Sequence, residues 1–141
     1  MKNLFIVLLF IPAFSYAASI DKYIEKTPNW SNEANGVIYI TTRCSAILMV
    51  TGQHRIEVGD QEFGPVILEL GETLAKRSTK LALKSELNLG VIQDRLVFWV
   101  KKYAEDSISN TDYYDNIFVG DYAVDFNFCY DLVRTLNSQR Q

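Results

Sequence analysis

Residues 37–51, with the sequence VIYITTRCSAILMVT, decide the fold class of this chain. Apolar or small residues recur in this stretch every three or four positions, which is the spacing of one face of an α-helix. The segment 37–40 is rich in β-branched residues and, taken alone, is ambiguous between helix and strand. The whole stretch favours a long helix with Asn32 as its N-terminal cap. The residues of the predicted stripe are Val37, Ile40, Thr41, Cys44, Ile47, Leu48 and Thr51.

Helical spacing continues on both sides of this stretch. A short helix is predicted at 19–26, where Thr27-Pro28 ends it because the residue before a proline avoids helical geometry. Four longer amphipathic segments with short links predict an all-α fold, a small up-and-down bundle of about four helices. The predicted breaks are 52–59, 85–88 and 107–112, and the helices between them begin at Asp60 or Gly64, at Leu89, and at Tyr114 or Val119, the last one running to Asn137.

Composition excludes several classes of protein. The chain has 141 residues, of which 48% are apolar and 22% charged, so it is long enough and apolar enough for one domain with a real core. Its formal net charge of −3 disfavours a nucleic-acid binder, which needs a basic face. A single histidine excludes a histidine-rich metal site, and we expect neither a metal nor another cofactor.

The first seventeen residues are typical of a signal peptide. Lys2 precedes an apolar run of about eleven residues, and the segment 15–17 (SYA) offers small residues for cleavage after Ala17. The run is shorter than the ~20 residues of a membrane-spanning helix, although an uncleaved anchor is the alternative. We therefore expect a leader at 1–17, a helical domain at 18–141, no stable membrane anchor after cleavage, and a periplasmic or secreted protein.

Cys44 and Cys129 are the only cysteines, and they lie 85 positions apart in two apolar helical segments. In an oxidising compartment an even pair of cysteines favours a disulfide. The alternative is two buried free thiols. A disulfide here would join the first long helix to the last.

Asp125 falls within the apolar arc of the last helix, between Phe118 and Leu132 when residues are placed at 100° intervals. A carboxylate on such a face needs a partner. Arg43 precedes Cys44 and flanks the apolar face of its own helix, so we predict a structural ion pair between Arg43 and Asp125 beside the disulfide. The alternative role, an acid or base in catalysis, lacks a second carboxylate nearby.

Three groups of residues are candidates for a partner surface. Lys76, Lys80 and Lys84 share one side of a helix, either as a solvated face or as a docking stripe for an acidic partner or an anionic lipid headgroup. Val91 and Phe98 form a second apolar strip, which indicates helix packing or weak self-association. Tyr113 and Tyr114 precede the clear periodicity of an aromatic-rich segment that is otherwise core, so at least one is a candidate contact residue.

Sequence motifs for chemistry are missing. No G-x-S-x-G, H-E-x-x-H or phosphate-binding glycine loop occurs, and the aspartates between 106 and 125 lack the spacing of a calcium loop. His54 lies in the predicted break at 52–59 and is interpreted as an exposed loop residue.

The sequence favours a non-catalytic, exported protein-binding module, either a monomer or a weak homodimer, such as an inhibitor, immunity-type or accessory protein. The alternative is a periplasmic stress chaperone or a carrier of a small apolar ligand.

Overall fold

The computed structural model describes residues 18–138, so the predicted leader at 1–17 lies outside the described residues. Within the described part, the chain forms five α-helices and one short 3-10 turn, with no strand. The all-helical prediction is confirmed, although the helices number five rather than about four. Their bounds are α1 Ile20–Lys26, the 3-10 turn Trp30–Asn32, α2 Ala34–Glu57, α3 Gly64–Lys84, α4 Leu89–Tyr114 and α5 Gly120–Ser138.

Helix α2 is the centre of the bundle. Nine consecutive residues, from position 40 to position 48, are buried, so this helix is covered on every side along that stretch. The predicted single stripe was therefore too narrow for α2, because α3, α4, α5 and the 3-10 turn all pack against it. A helix that is surrounded needs no polar face.

The helices alternate in direction around α2. Thr41 hydrogen-bonds Ser78, and a side chain near the end of α2, Ile56, lies against Gly64 at the start of α3, so these two helices are antiparallel. Arg43 contacts Tyr103 of α4, and Ile38 clusters with Ile92 further back on the same helix. Helices α2 and α4 therefore run in the same direction, and their C-terminal ends lie at the same end of the bundle.

Two predicted breaks are helical in the structure. Residues 52–57 belong to α2, and Gly52 lies where the backbone of α3 comes close, since a Cβ atom added there would clash with the backbone nitrogen of Leu68. Residues 107–112 belong to α4, where the Ser107 and Thr111 hydroxyls donate hydrogen bonds to carbonyls three and four residues earlier. Such back-bonding lets serine and threonine sit inside a helix without an external partner.

The predicted boundaries elsewhere are closer to the structure. The break at 85–88 is present, and the Asn88 side chain accepts a hydrogen bond from the backbone N–H of Gly90 at the start of α4. The last helix begins at Gly120, next to Val119, whereas Tyr114, the other predicted start, ends α4. Asn32 is not the cap of α2: it lies in the 3-10 turn, and Glu33 occupies the capping position without a side-chain hydrogen bond.

The disulfide prediction is confirmed. Cys44 of α2 and Cys129 of α5 are bonded, with their Cα atoms 5.1 Å apart, and both side chains are fully buried. Since α5 packs antiparallel to α2, the bond joins the middle of the central helix to the middle of the last one.

No helix among residues 18–138 has both the length and the apolar content of a membrane span.

Candidate functional site

The candidate site is an open apolar groove of about 550 Å³ between α2 and α4. Its apolar lining on α4 repeats every four residues at Val100, Ala104 and Ile108, so these side chains share one face of that helix. Helix α2 contributes Met49 and Val50 on the facing side, and α3 contributes Leu68. Ile108 is 62% exposed, which is unusual for a large aliphatic side chain beside other apolar residues.

Acidic residues occupy the end of the groove where α2 and α4 terminate. Glu57 and Asp112 line it there, beside His54 and Gln53. The Gln53 amide donates a hydrogen bond of 2.9 Å to Glu57 Oε1, while the described structure contains no ion pair to either carboxylate. Because both acids are exposed, they remain hydrated and available to a cation from a partner.

A second hollow of about 270 Å³ continues the acidic end. His54 lines both the groove and this hollow, which also contains Asp60 and Asp115. Arg55 pairs with Asp60 at 2.7 Å, and the backbone N–H of Phe63 also donates to that carboxylate. The backbone hydrogen bond from Phe63 has the larger effect and the Arg55 pair the smaller one, and together they lower the pKa of Asp60 below its usual range. Four carboxylates line the groove and the hollow, and the Arg55 guanidinium pairs with one of them, Asp60.

Exposed side chains surround this end of the molecule. Tyr113 and Tyr114 at the end of α4 are 81% and 64% exposed, and Val58 and Phe63 in the α2–α3 turn are also exposed. An end that combines large exposed apolar or aromatic side chains with carboxylates can contact both the apolar and the cationic parts of a partner.

Arg43 and Asp125 form a buried polar cluster in the core, separate from the groove. Arg43 Nη2 lies 2.6 Å from Asp125 Oδ2, and both side chains are at most 2% exposed. The Tyr103 hydroxyl accepts from Arg43 Nε and donates to Asp125 Oδ2, while Asp125 Oδ1 accepts from the backbone N–H of Ile20. Four helices, α1, α2, α4 and α5, therefore meet at this carboxylate.

The cluster holds its charges by mutual neutralisation. Burial by itself lowers the pKa of Arg43, but the oxygens of Tyr103 and Asp125 outweigh it and raise the pKa overall, so the guanidinium stays charged. Its carbon lies 4.0 Å from the centroid of the Trp99 ring, a cation–π contact. Burial and the nearby Asp125 charge raise the pKa of Tyr103, which keeps the phenol protonated as a donor. Arg43 and Asp125 line a small hollow, but the hydrogen bonds within the cluster occupy both Asp125 oxygens.

The structure does not bring the predicted partner residues together at the groove. Lys76, Lys80 and Lys84 are exposed on α3, Val91 and Phe98 are exposed on α4, and none of the five lines the groove. Tyr113 and Tyr114 lie at its acidic end, and Tyr114 also lines the hollow beside Arg43.

Sequence reasoning missed most of the groove. His54 is a half-buried helical residue rather than an exposed loop residue, because α2 continues through it. Ile108, Thr111 and Asp112 were placed in a turn, although Ile108 continues the four-residue apolar spacing of Val100 and Ala104, which was the available signal. Among residues 18–138, no group of three or more His, Cys, Asp or Glu side chains is arranged to hold a metal ion.

Comparison with family models, with curated proteins and with solved structures found no match to this chain.

Proposed function

We propose that this protein is an exported, non-catalytic protein-binding module whose contact surface is the groove between α2 and α4. The observation that carries the proposal is the row Val100, Ala104 and Ile108, which forms a partly exposed apolar strip beside Met49 and Val50. Apolar strips of this kind, rimmed by polar groups, mark interaction sites. A groove between two helices suits an amphipathic helical segment of a partner protein.

Export is supported by the disulfide and by the leader-like sequence at 1–17. A buried bond between Cys44 and Cys129 is compatible with an oxidising compartment. Intact mass measurement of the protein from the cell envelope or the medium should show a chain that begins at Ala18. A cytosolic full-length product with reduced cysteines would contradict export.

The test of the binding surface uses two neighbouring positions on α4. A photo-crosslinking amino acid at Ile108 should give a discrete adduct with one protein in cells of the source organism, whereas the same residue at Ser109 should not. Ser109 is also exposed but does not line the groove. Binding of the purified partner should then be lost in Ile108→Asp and kept in Ser109→Asp. Equal crosslinking at both positions, or binding that survives Ile108→Asp, would refute the groove as the contact surface.

A carrier of a small apolar ligand is the second candidate. The volume of about 550 Å³ falls within the ~300–1,000 Å³ of typical ligand pockets. Native mass spectrometry of the purified protein decides between the two: a bound apolar compound that Ile108→Asp removes would favour the carrier, and a ligand-free protein that binds its crosslinked partner would favour the module.

A further inference from the structure

We infer that the groove selects a basic amphipathic helix, one whose apolar face is followed at one end by lysine or arginine. This inference rests on the proposed function and specifies the chemistry of the partner. It arises from the separation of apolar and acidic groups along the groove: Met49, Val50, Val100 and Ala104 lie toward one end, and Glu57 and Asp112 lie at the other.

The length of the groove matches a short helix. Met49 and Glu57 are eight positions apart on α2, and Val100 and Asp112 are twelve apart on α4. At 1.5 Å per residue these stretches span roughly 12 to 18 Å, or two to three helical turns. A partner helix of that length presents apolar side chains at positions i, i+3 or i+4, and i+7. Its next turn would lie at the acidic end of the groove.

Charge complementarity determines what that last turn carries. Glu57 and Asp112 have no ion-pair partner within the described structure, and Asp115 lies close by in the adjoining hollow. An acidic or purely apolar helix end placed there would repel or desolvate these carboxylates, whereas a lysine or arginine would pair with them. Exposed Tyr113 adds a ring on which a cation can stack.

Among residues 18–138, no lysine or arginine lines the groove. Lys76, Lys80 and Lys84 lie on α3 and do not line the groove. A second copy of the protein could place these three lysines in the groove, and sedimentation of the protein alone tests this alternative. Salt-sensitive self-association that Ile108→Asp abolishes would assign the groove to another copy and overturn the inference of a separate basic partner.

The direct test uses synthetic helices as probes for the disulfide-bonded protein. Three fourteen-residue peptides share one leucine stripe and end in a pair of lysines, glutamines or glutamates, with the pair at the N-terminus in one series and at the C-terminus in a second. Fluorescence anisotropy should show that the lysine peptide of one series binds at least tenfold more tightly than its glutamine counterpart. High salt should reduce this ratio, because exposed charges are screened.

Paired variants separate the local charges from the net charge. Glu57→Gln with Asp112→Asn should bring the lysine peptide to the affinity of the glutamine peptide and leave the glutamine peptide unchanged. Glu69→Gln with Asp94→Asn changes the net charge equally at exposed positions outside the groove and should preserve the lysine preference. Equal losses in both double variants would overturn the inference.

Failure of this inference and failure of the proposed function give different results. If the glutamine peptide binds as tightly as the lysine peptide, and Ile108→Asp abolishes both, the groove is a binding surface without charge selection and only the inference fails. If no peptide of either series binds, the groove does not accept helices and the proposed function fails with it.

Discussion

At the scale of single residues, the Arg43–Asp125 pair shows how a charged group is accommodated in this core. Asp125 is 1% exposed, and its oxygens accept hydrogen bonds from Arg43, Tyr103 and the backbone of α1. Removing one member of a buried pair leaves the other charge without compensation. Removing Asp125 would therefore destabilise the protein in two ways. It would remove the attraction between the two charges, and it would leave the Arg43 guanidinium buried without a partner.

Asp125→Ala should destabilise the protein by about 3–5 kcal/mol, as is typical for breaking a buried ion pair. Urea denaturation of the oxidised protein measures the change, and Asp131→Asn, at an exposed position of the same helix, is the control. The double variant Arg43→Met with Asp125→Leu should lose less than the sum of the single variants. Unchanged stability in Asp125→Ala would refute the structural role of the pair.

Tyr122 predicts a loss of stability at alkaline pH. Burial first of all, offset in part by its hydrogen bond with Thr51, raises its pKa to about 12. The protonated Tyr122 phenol stabilises the folded state fully at pH values below the unfolded pKa of about 10. This stabilisation is lost as the pH rises through 12, because the unfolded chain releases the phenol proton at a lower pH than the folded chain does. Tyr103 acts in the same direction.

Tyr122→Phe should therefore reduce the loss of unfolding free energy between pH 9 and pH 11 by about 1 kcal/mol. Denaturant titrations at the two pH values give this difference. Tyr130→Phe, at an exposed position of the same helix, should leave it unchanged. An identical pH dependence in wild type and Tyr122→Phe would show that this phenol does not contribute.

At the scale of the elements, α2 and α3 pack closely because small residues face each other. Gly71 lies over Ser45, whose hydroxyl donates a hydrogen bond of 2.7 Å to the Gly71 carbonyl. A Cβ atom added at Gly71 would lie 2.7 Å from Met49 Cγ and 2.8 Å from Ser45 O. The gain in helix propensity from alanine is thus opposed by a steric clash with a neighbouring backbone.

Gly71→Ala should destabilise the protein by about 1–3 kcal/mol despite the better helix former, because the packed helices must separate. Thr79→Ala, at an exposed position of α3, should change the stability by less than about 0.5 kcal/mol. Thermal unfolding followed by circular dichroism compares the two variants. A stabilised Gly71→Ala protein would contradict a close α2–α3 contact at this position.

The elements also show where helix prediction failed. Gly52 and the polar run at 107–112 were interpreted as breaks, since glycine and serine disfavour helix interiors. In the structure Gly52 is required by the close approach of α3, and the Ser107 and Thr111 hydroxyls are satisfied by their own helix. Neither reason is visible without the neighbouring elements. The ends of α2 and α4 form the acidic part of the groove, so these errors concealed the candidate site.

At the scale of the whole molecule, the disulfide joins the central helix to the last helix across a loop of 85 residues. In the chain-entropy account, a cross-link of this span stabilises the folded state by about 4.5 kcal/mol, because it restricts the unfolded chain. This is a large part of the 5–15 kcal/mol that is typical of a small domain.

Reduction should lower the free energy of unfolding by about 4.5 kcal/mol. Urea titrations with and without reductant give the difference, and the double variant Cys44→Ser with Cys129→Ser should show the same loss and no further response to reductant. A reduced protein as stable as the oxidised one would contradict the structural role of the bond.

The sequence alone was sufficient for the helical class and for the pairing of Cys44 with Cys129. Helical periodicity is a local property of the chain, and only two cysteines are available to pair. The Arg43–Asp125 pair was also suggested locally, because a carboxylate on an apolar face requires a partner.

Only the tertiary structure decided the course of α2 and α4 and the position of the groove. Whether a glycine or a serine interrupts a helix depends on what packs against it. Which apolar side chains of α4 remain exposed depends on where the other helices pack. The direction of α4 relative to α2, which brings Glu57 and Asp112 to one end, is set by packing between residues more than fifty positions apart, and local spacing carries no information about it.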